Sequence, residues 1–173
     1  AATMGSPGWR RLAPLLRFSM KYAASAYPAS ASSYQFMTTL SPALRKAFEE
    51  TQYHVLHQAP FSLQVGQPQP ALAGIYQQHQ TDCACLISAF NPMGELLEKD
   101  ENIERHAQLG RALGATGYAA LPAVAQHHAN GWPAEPGFLV IGMGREDAQR
   151  WAAEWEQLAV LWMAADTVPL LLE

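Results

Sequence analysis

Two segments of the chain, Cys83 to Phe90 (CACLISAF) and Phe138 to Met143 (FLVIGM), are apolar without alternation. A strand with one wet face alternates apolar and polar residues, so these two belong in the interior of a sheet. The first is bounded by Asp82 and by Asn91-Pro92 and is the best candidate for a central strand. With 173 residues, 49% of them apolar and 15% charged, the chain has material for one packed domain and is too short for two full ones.

The remaining elements follow from punctuation and period. Ser41-Pro42 reads as a cap followed by proline in the first helical turn, with Leu44, Ala47 and Phe48 at helical spacing as far as Thr51. Tyr53–Leu56 and Phe61–Val65 read as a hairpin, Gly66–Pro70 as a break, and Ala71–His79 as a second helix. A third helix runs from Glu98 to Leu113, with Asn102, His106, Leu109 and Leu113 on one row and Ile103 and Ala107 on a parallel one. Glu101 and Arg105 lie one turn apart on it. Gly114 and Gly117 end that helix, Tyr118–Ala125 can form a strand, and His127–Gly137 reads as a Pro- and Gly-rich loop. Glu146–Leu158 places Ala148, Trp151, Ala152, Trp155 and Leu158 on one helical face, and Val160–Met163 with Val168–Leu172 reads as a closing hairpin. Helices interleave with strands without strict alternation, so the expected class is α+β, a mixed sheet packed against helices as a two-layer sandwich.

Charge is unevenly distributed. Residues 1–48 carry six bases and no acid, whereas residues 49–173 carry five bases and 15 acids, a net −10. Residues 1–36 include the low-complexity run AASAYPASASS and read as an extended arm preceding a single domain at 37–173. Its composition also resembles an organelle transit segment, but no secretory signal pattern is present. Arg10, Arg11, Arg17 and Lys21 on this arm are candidates for contacting a protein partner. The net acidity of the rest argues against nucleic acid as that partner. No run approaches the ~18 apolar residues of a spanning helix, and a cytoplasmic location is expected.

Three segments together carry a family resemblance: AFNPMG with Glu101, Asn102 and Arg105 behind it; GWPAEPGFLVIGM; and the Trp-containing helix leading into AVLWMAADTVPLLL. The chain resembles the bacterial domain-of-unknown-function 3293 family over roughly residues 40–172. Its pattern is a strand ending in Asn-Pro, an Asn and an Arg on the next helix, and Gly-Trp-x-x-Glu before a strand. Gln157 stands where that pattern has a Gln. Where the family often has Ser after the acidic residue, this chain has Pro136-Gly137. The resemblance implies a fold and a residue cluster, with no activity attached.

Asn91, Asn102, Arg105, Trp132 and Glu135 are accordingly the ligand-binding candidates. Arg105 offers a fork for an anion, the two asparagines offer amide contacts, and Trp132 a stacking face. A structural role for the same residues, as turn and ion pair, competes with this. His106 and Glu135 are the acid/base candidates if the cluster is catalytic; no nucleophile motif accompanies them, and the sequence does not decide whether the protein is an enzyme. His79, Cys83 and Cys85 lack the spacing of a zinc site and read as core, His127-His128 as solvated, and Gly142-Met143-Gly144 as a turn whose Asp147 would repel a pyrophosphate. No metal or cofactor is expected. Two functions therefore stand: a non-catalytic interaction module or accessory subunit anchored by the arm, or a small-molecule-binding protein or enzyme using the polar cluster on an anionic or amide-bearing metabolite.

Overall fold

A computed structural model describes residues 39–173. The expected arm and its four basic candidates fall outside these residues. In chain order the elements are α1 (Pro42–Glu50), β1 (Gln52–Val55), β2 (Phe61–Leu63), α2 (Ala71–His79), β3 (Ala84–Ser88), a 3-10 turn (Pro92–Gly94), α3 (Lys99–Thr116), β4 (Ala119–Gln126), β5 (Glu135–Ile141), α4 (Arg145–Glu154), β6 (Val160–Met163) and β7 (Leu170–Leu172).

The seven strands form one sheet in the order β2-β1-β4-β5-β3-β6-β7. The α+β class is borne out. In place of the expected mixed sheet, every pairing is antiparallel. The reason lies in the crossovers. α3 carries the chain from β3 to β4, which run the same way but are not neighbours, because β5 folds back between them. α4 does the same from β5 to β6 around β3. Each helix thus spans a pair of parallel strands whose gap is filled by an antiparallel one.

β3 lies between β5 and β6, and its residues Ala84 to Ile87 are all buried, as its unbroken apolar run requires. Both faces of the sheet are covered, so helices flank it on two sides rather than one. Leu72, Ile75 and Tyr76 of α2 pack on the face carrying Leu86, Leu139 and Leu161. Leu109 and Leu113 of α3 and Trp151 of α4 pack on the face carrying Cys85, Ile87 and Val140. Cys85 is therefore a core thiol, whose pKa burial pushes far up, while Cys83 just before the strand is half-buried.

Ser41 Oγ accepts from Leu44 N–H at 3.2 Å, closing the first turn of α1 as its cap spacing predicts. α3 passes through Gly114 and stops only at Gly117, where φ is +81°. Its buried row is Asn102, Leu109 and Leu113; Ile103, expected on a second apolar row, faces solvent at 49% exposure. α4 ends at Glu154, short of the expected Leu158. The two edges of the sheet approach one another: Gly66 N–H donates to Pro169 O at 2.8 Å and Gln69 N–H to Thr167 O at 3.1 Å, so the sheet curls. α1, continuous with β1, is tied to the end of β7 by the Arg45–Glu173 ion pair and by Leu40 N–H on Glu173 Oε2. It lies across the remaining opening of the curl.

Candidate functional site

The chain leaves β3 through Ala89 and Phe90 into Asn91-Pro92. Asn91 takes a left-handed φ of +48°, a conformation asparagine tolerates better than most residues. That turn aims both ends of its side chain at other elements. Nδ2 donates to Glu135 Oε1 at 2.6 Å, and Oδ1 accepts from Leu97 N–H at 3.1 Å and from Asn102 Nδ2 at 2.8 Å. Asn102 returns the contact, its Oδ1 accepting from Asn91 N–H at 2.8 Å, and its Nδ2 also reaches Leu97 O at 3.3 Å. Trp132 Nε1 donates to the same Glu135 Oε1 at 2.8 Å. Four of the five ligand-binding candidates thus form one connected network joining the end of β3, the first turn of α3 and the start of β5.

Glu135 was expected in a loop because Pro136 and Gly137 follow it. It is instead the first residue of β5, opposite Ala125. Proline is accepted there because β3 pairing ends at Ser88–Gly137, leaving no strand opposite Pro136 on that side. Pro136 O faces the same edge and is satisfied by the Ser88 hydroxyl at 2.8 Å. Gly137 is dictated by the close approach of the strands: a Cβ on it would stand 2.6 Å from Ile87 O.

Asn91, Trp132 and Glu135 border a cavity of about 320 Å³ on the face of the sheet beneath α1. Leu44, Ala47 and Phe48 of α1 form its roof, Tyr53, Leu86 and Leu161 part of its floor, and Asn91, Trp132 and Glu135 one polar side. Burial lifts the Glu135 carboxyl above its ordinary value of 4.5, while the bonds from Asn91 and Trp132 pull it back. The folded state therefore holds this proton to higher pH than the unfolded chain. The stability linked to it is present below the unfolded value and is lost as pH rises through the folded one. Glu135→Gln keeps the acceptor for Asn91 and Trp132 and removes the partly buried charge. It is expected to be more stable than the native chain at about pH 7, the difference vanishing at about pH 3.5, as read by urea denaturation at the two values.

Arg105 does not join the cavity. Its Nε donates to Ala89 O at 2.8 Å, one terminal nitrogen to Trp155 O at 3.0 Å, and the other pairs with Glu156 at 3.3 Å. The anion fork expected from the sequence is thus committed to a clamp between the end of β3 and the turn after α4. Its acidic partner is Glu156, not Glu101. His106 also lies away from the cavity, stacked on Phe138 with ring centroids 4.6 Å apart, and burial lowers its pKa. Its Nδ1 is buried and has no partner among the described residues. An acid/base role for His106 on a ligand at Glu135 finds no geometry here.

His127, expected to be solvated, has a side chain only 6% exposed that borders the cavity. Its Nδ1 accepts from Ala129 and Asn130 N–H at 3.1 Å each, and its ring stacks on His128. Sequence reasoning missed the α1 roof, because Leu44, Ala47 and Phe48 carry the same spacing as any core-facing helix. Among the described residues no cluster of three or more His, Cys, Asp or Glu is placed to hold a metal, and no helix is long and apolar enough to cross a membrane.

Residues 87–160 match the model of a family described as Protein of unknown function (DUF3293). The match spans the whole Asn91–Asn102–Trp132–Glu135 network and the Arg105 clamp, and leaves out α1. It is shorter than the stretch over which the motifs resemble that family. No curated protein and no solved structure matches the chain.

Proposed function

We propose that this chain, whose residues 87–160 match the DUF3293 family model, binds a small organic molecule in the cavity beneath α1. The observation that carries this reading is a half-buried carboxylate at one side of a largely apolar chamber. Glu135 is held there by Asn91 and Trp132, and the chamber's 320 Å³ lies at the small end of the range of about 300–1,000 Å³ typical of ligand pockets. A network that places one carboxylate so firmly does more than end a loop, since a buried polar group is costly unless it has partners. The accessory-subunit reading draws on residues 1–36, outside the described part, and nothing in residues 39–173 favours it over the cavity.

At roughly 30 Å³ per water-sized group, the chamber takes on the order of ten heavy atoms. 2-Phenylethanol is a neutral probe of that size. The full chain is expected to bind it with a Kd on the order of 1 mM, given the contribution per atom usual for small ligands. Ala47→Trp, which fills the roof, is expected to abolish this binding while the variant stays folded. Binding that survives in Ala47→Trp, or its absence from the native chain, would contradict the proposal.

A further inference from the structure

We infer that the cavity selects a small amine, its ammonium group on Glu135 and its apolar, phenyl-sized body between α1 and the sheet; this rests on the small-molecule reading above. The first ground is charge. Among the described residues bordering the cavity, Glu135 is the only acid, and no lysine or arginine is present. Arg105, the nearest guanidinium in the network's neighbourhood by sequence, spends its donors on Ala89, Trp155 and Glu156. An anionic ligand would therefore meet a carboxylate with no lysine or arginine to offset it, the reverse of what the sequence alone implied.

The second ground is valence. Oε1 of Glu135 already accepts from Asn91 and Trp132, while Oε2 accepts no hydrogen bond among the described residues. An ionised carboxylate can only accept, so its open oxygen calls for a donor. An ammonium meets that need and neutralises the charge in a chamber whose other walls are largely apolar. A charge-assisted bond of this kind is about twice as strong as a neutral one. The third ground is the lining: Phe48, Tyr53, Phe90 and Trp132 all border the cavity, and aromatic rings favour cations as well as aryl groups.

Titration of the full chain with three probes of nearly equal size separates the charge states: phenethylamine, 2-phenylethanol and phenylacetate, at about pH 7.5, where an alkylammonium keeps its proton. Phenethylamine is expected to bind about tenfold more tightly than 2-phenylethanol, with phenylacetate the weakest. Glu135→Gln is expected to erase the preference for the amine over the alcohol. An amine that binds no better than the alcohol, or a preference that persists in Glu135→Gln, would overturn the amine assignment while leaving the cavity's ligand role in place. Failure of all three probes to bind would overturn the small-molecule reading itself.

Discussion

Gly137→Val is expected to cost about 3 kcal/mol, the upper end of what overpacking a core position costs. The first atom of any side chain at this position would lie 2.6 Å from Ile87 O, 3.2 Å from Ile87 C and 3.4 Å from Ser88 Cα. All three belong to the backbone of β3, the strand with neighbours on both edges and cover on both faces, so nothing there can swing aside. Relief would come from parting β5 from β3 at the Ser88–Gly137 register, the end of the sheet that also carries Glu135. For a domain of this size a fall in Tm of about 10 °C is expected by calorimetry. Gly74→Ala, in α2 with nothing within 4 Å of the added carbon, serves as the control and is expected to leave Tm unchanged or raise it slightly, as Ala is the better helix former. Equal effects at the two glycines would refute the close-approach argument.

Asn102 is the second position of large expected effect. Asn102→Leu keeps the branching at Cγ but strands Asn91 N–H and Leu97 O, both of which now bond to its amide. Leaving buried polar groups unpaired costs about 1–3 kcal/mol each, so a loss of about 3 kcal/mol is expected. Asn102→Asp distinguishes this explanation from simple packing. It keeps the acceptor for Asn91 N–H but turns an oxygen toward Asn91 Oδ1 and Leu97 O, which the native Nδ2 satisfies. Protonation would restore a donor. The Asp variant is therefore expected to lose stability relative to the native chain at about pH 7 and to recover part of it at about pH 4.5, read by urea denaturation. A deficit independent of pH would mean that the reciprocal amide pair is not what position 102 supplies.

Much of the framework could be read before the structure because its signals are local. The unbroken apolar run at 83–87 announces a two-sided strand, Ser41-Pro42 a helix start, and GQPQP the break before α2. What could not be read depends on residues distant in sequence. Pro136-Gly137 looks like loop material until β3 is known to end beside it, and Arg105 looks free until Glu156, 51 positions on, closes over it. The direction of the sheet was also hidden, because α3 and α4 each join parallel strands, and only the strand inserted between each pair makes all pairings antiparallel. At the site, Asn91, Asn102, Trp132 and Glu135 were legible as polar residues flanking apolar strands. The chamber that Asn91, Trp132 and Glu135 border was not, since its roof is an ordinary amphipathic helix held by an ion pair to Glu173 at the far end of the chain.

The central claim is that the space beside Glu135 takes a ligand, and the indole N–H signals of the tryptophans test it most directly. Trp132 Nε1 donates to Glu135 at the cavity, whereas Trp162 Nε1 donates to Met143 O at 3.0 Å, outside the cavity lining. In a two-dimensional nitrogen–proton spectrum of the full chain titrated with 2-phenylethanol, the Trp132 indole signal is expected to shift and saturate while that of Trp162 stays in place. A Trp132 signal that does not move, or one that moves no more than that of Trp162, would contradict the account.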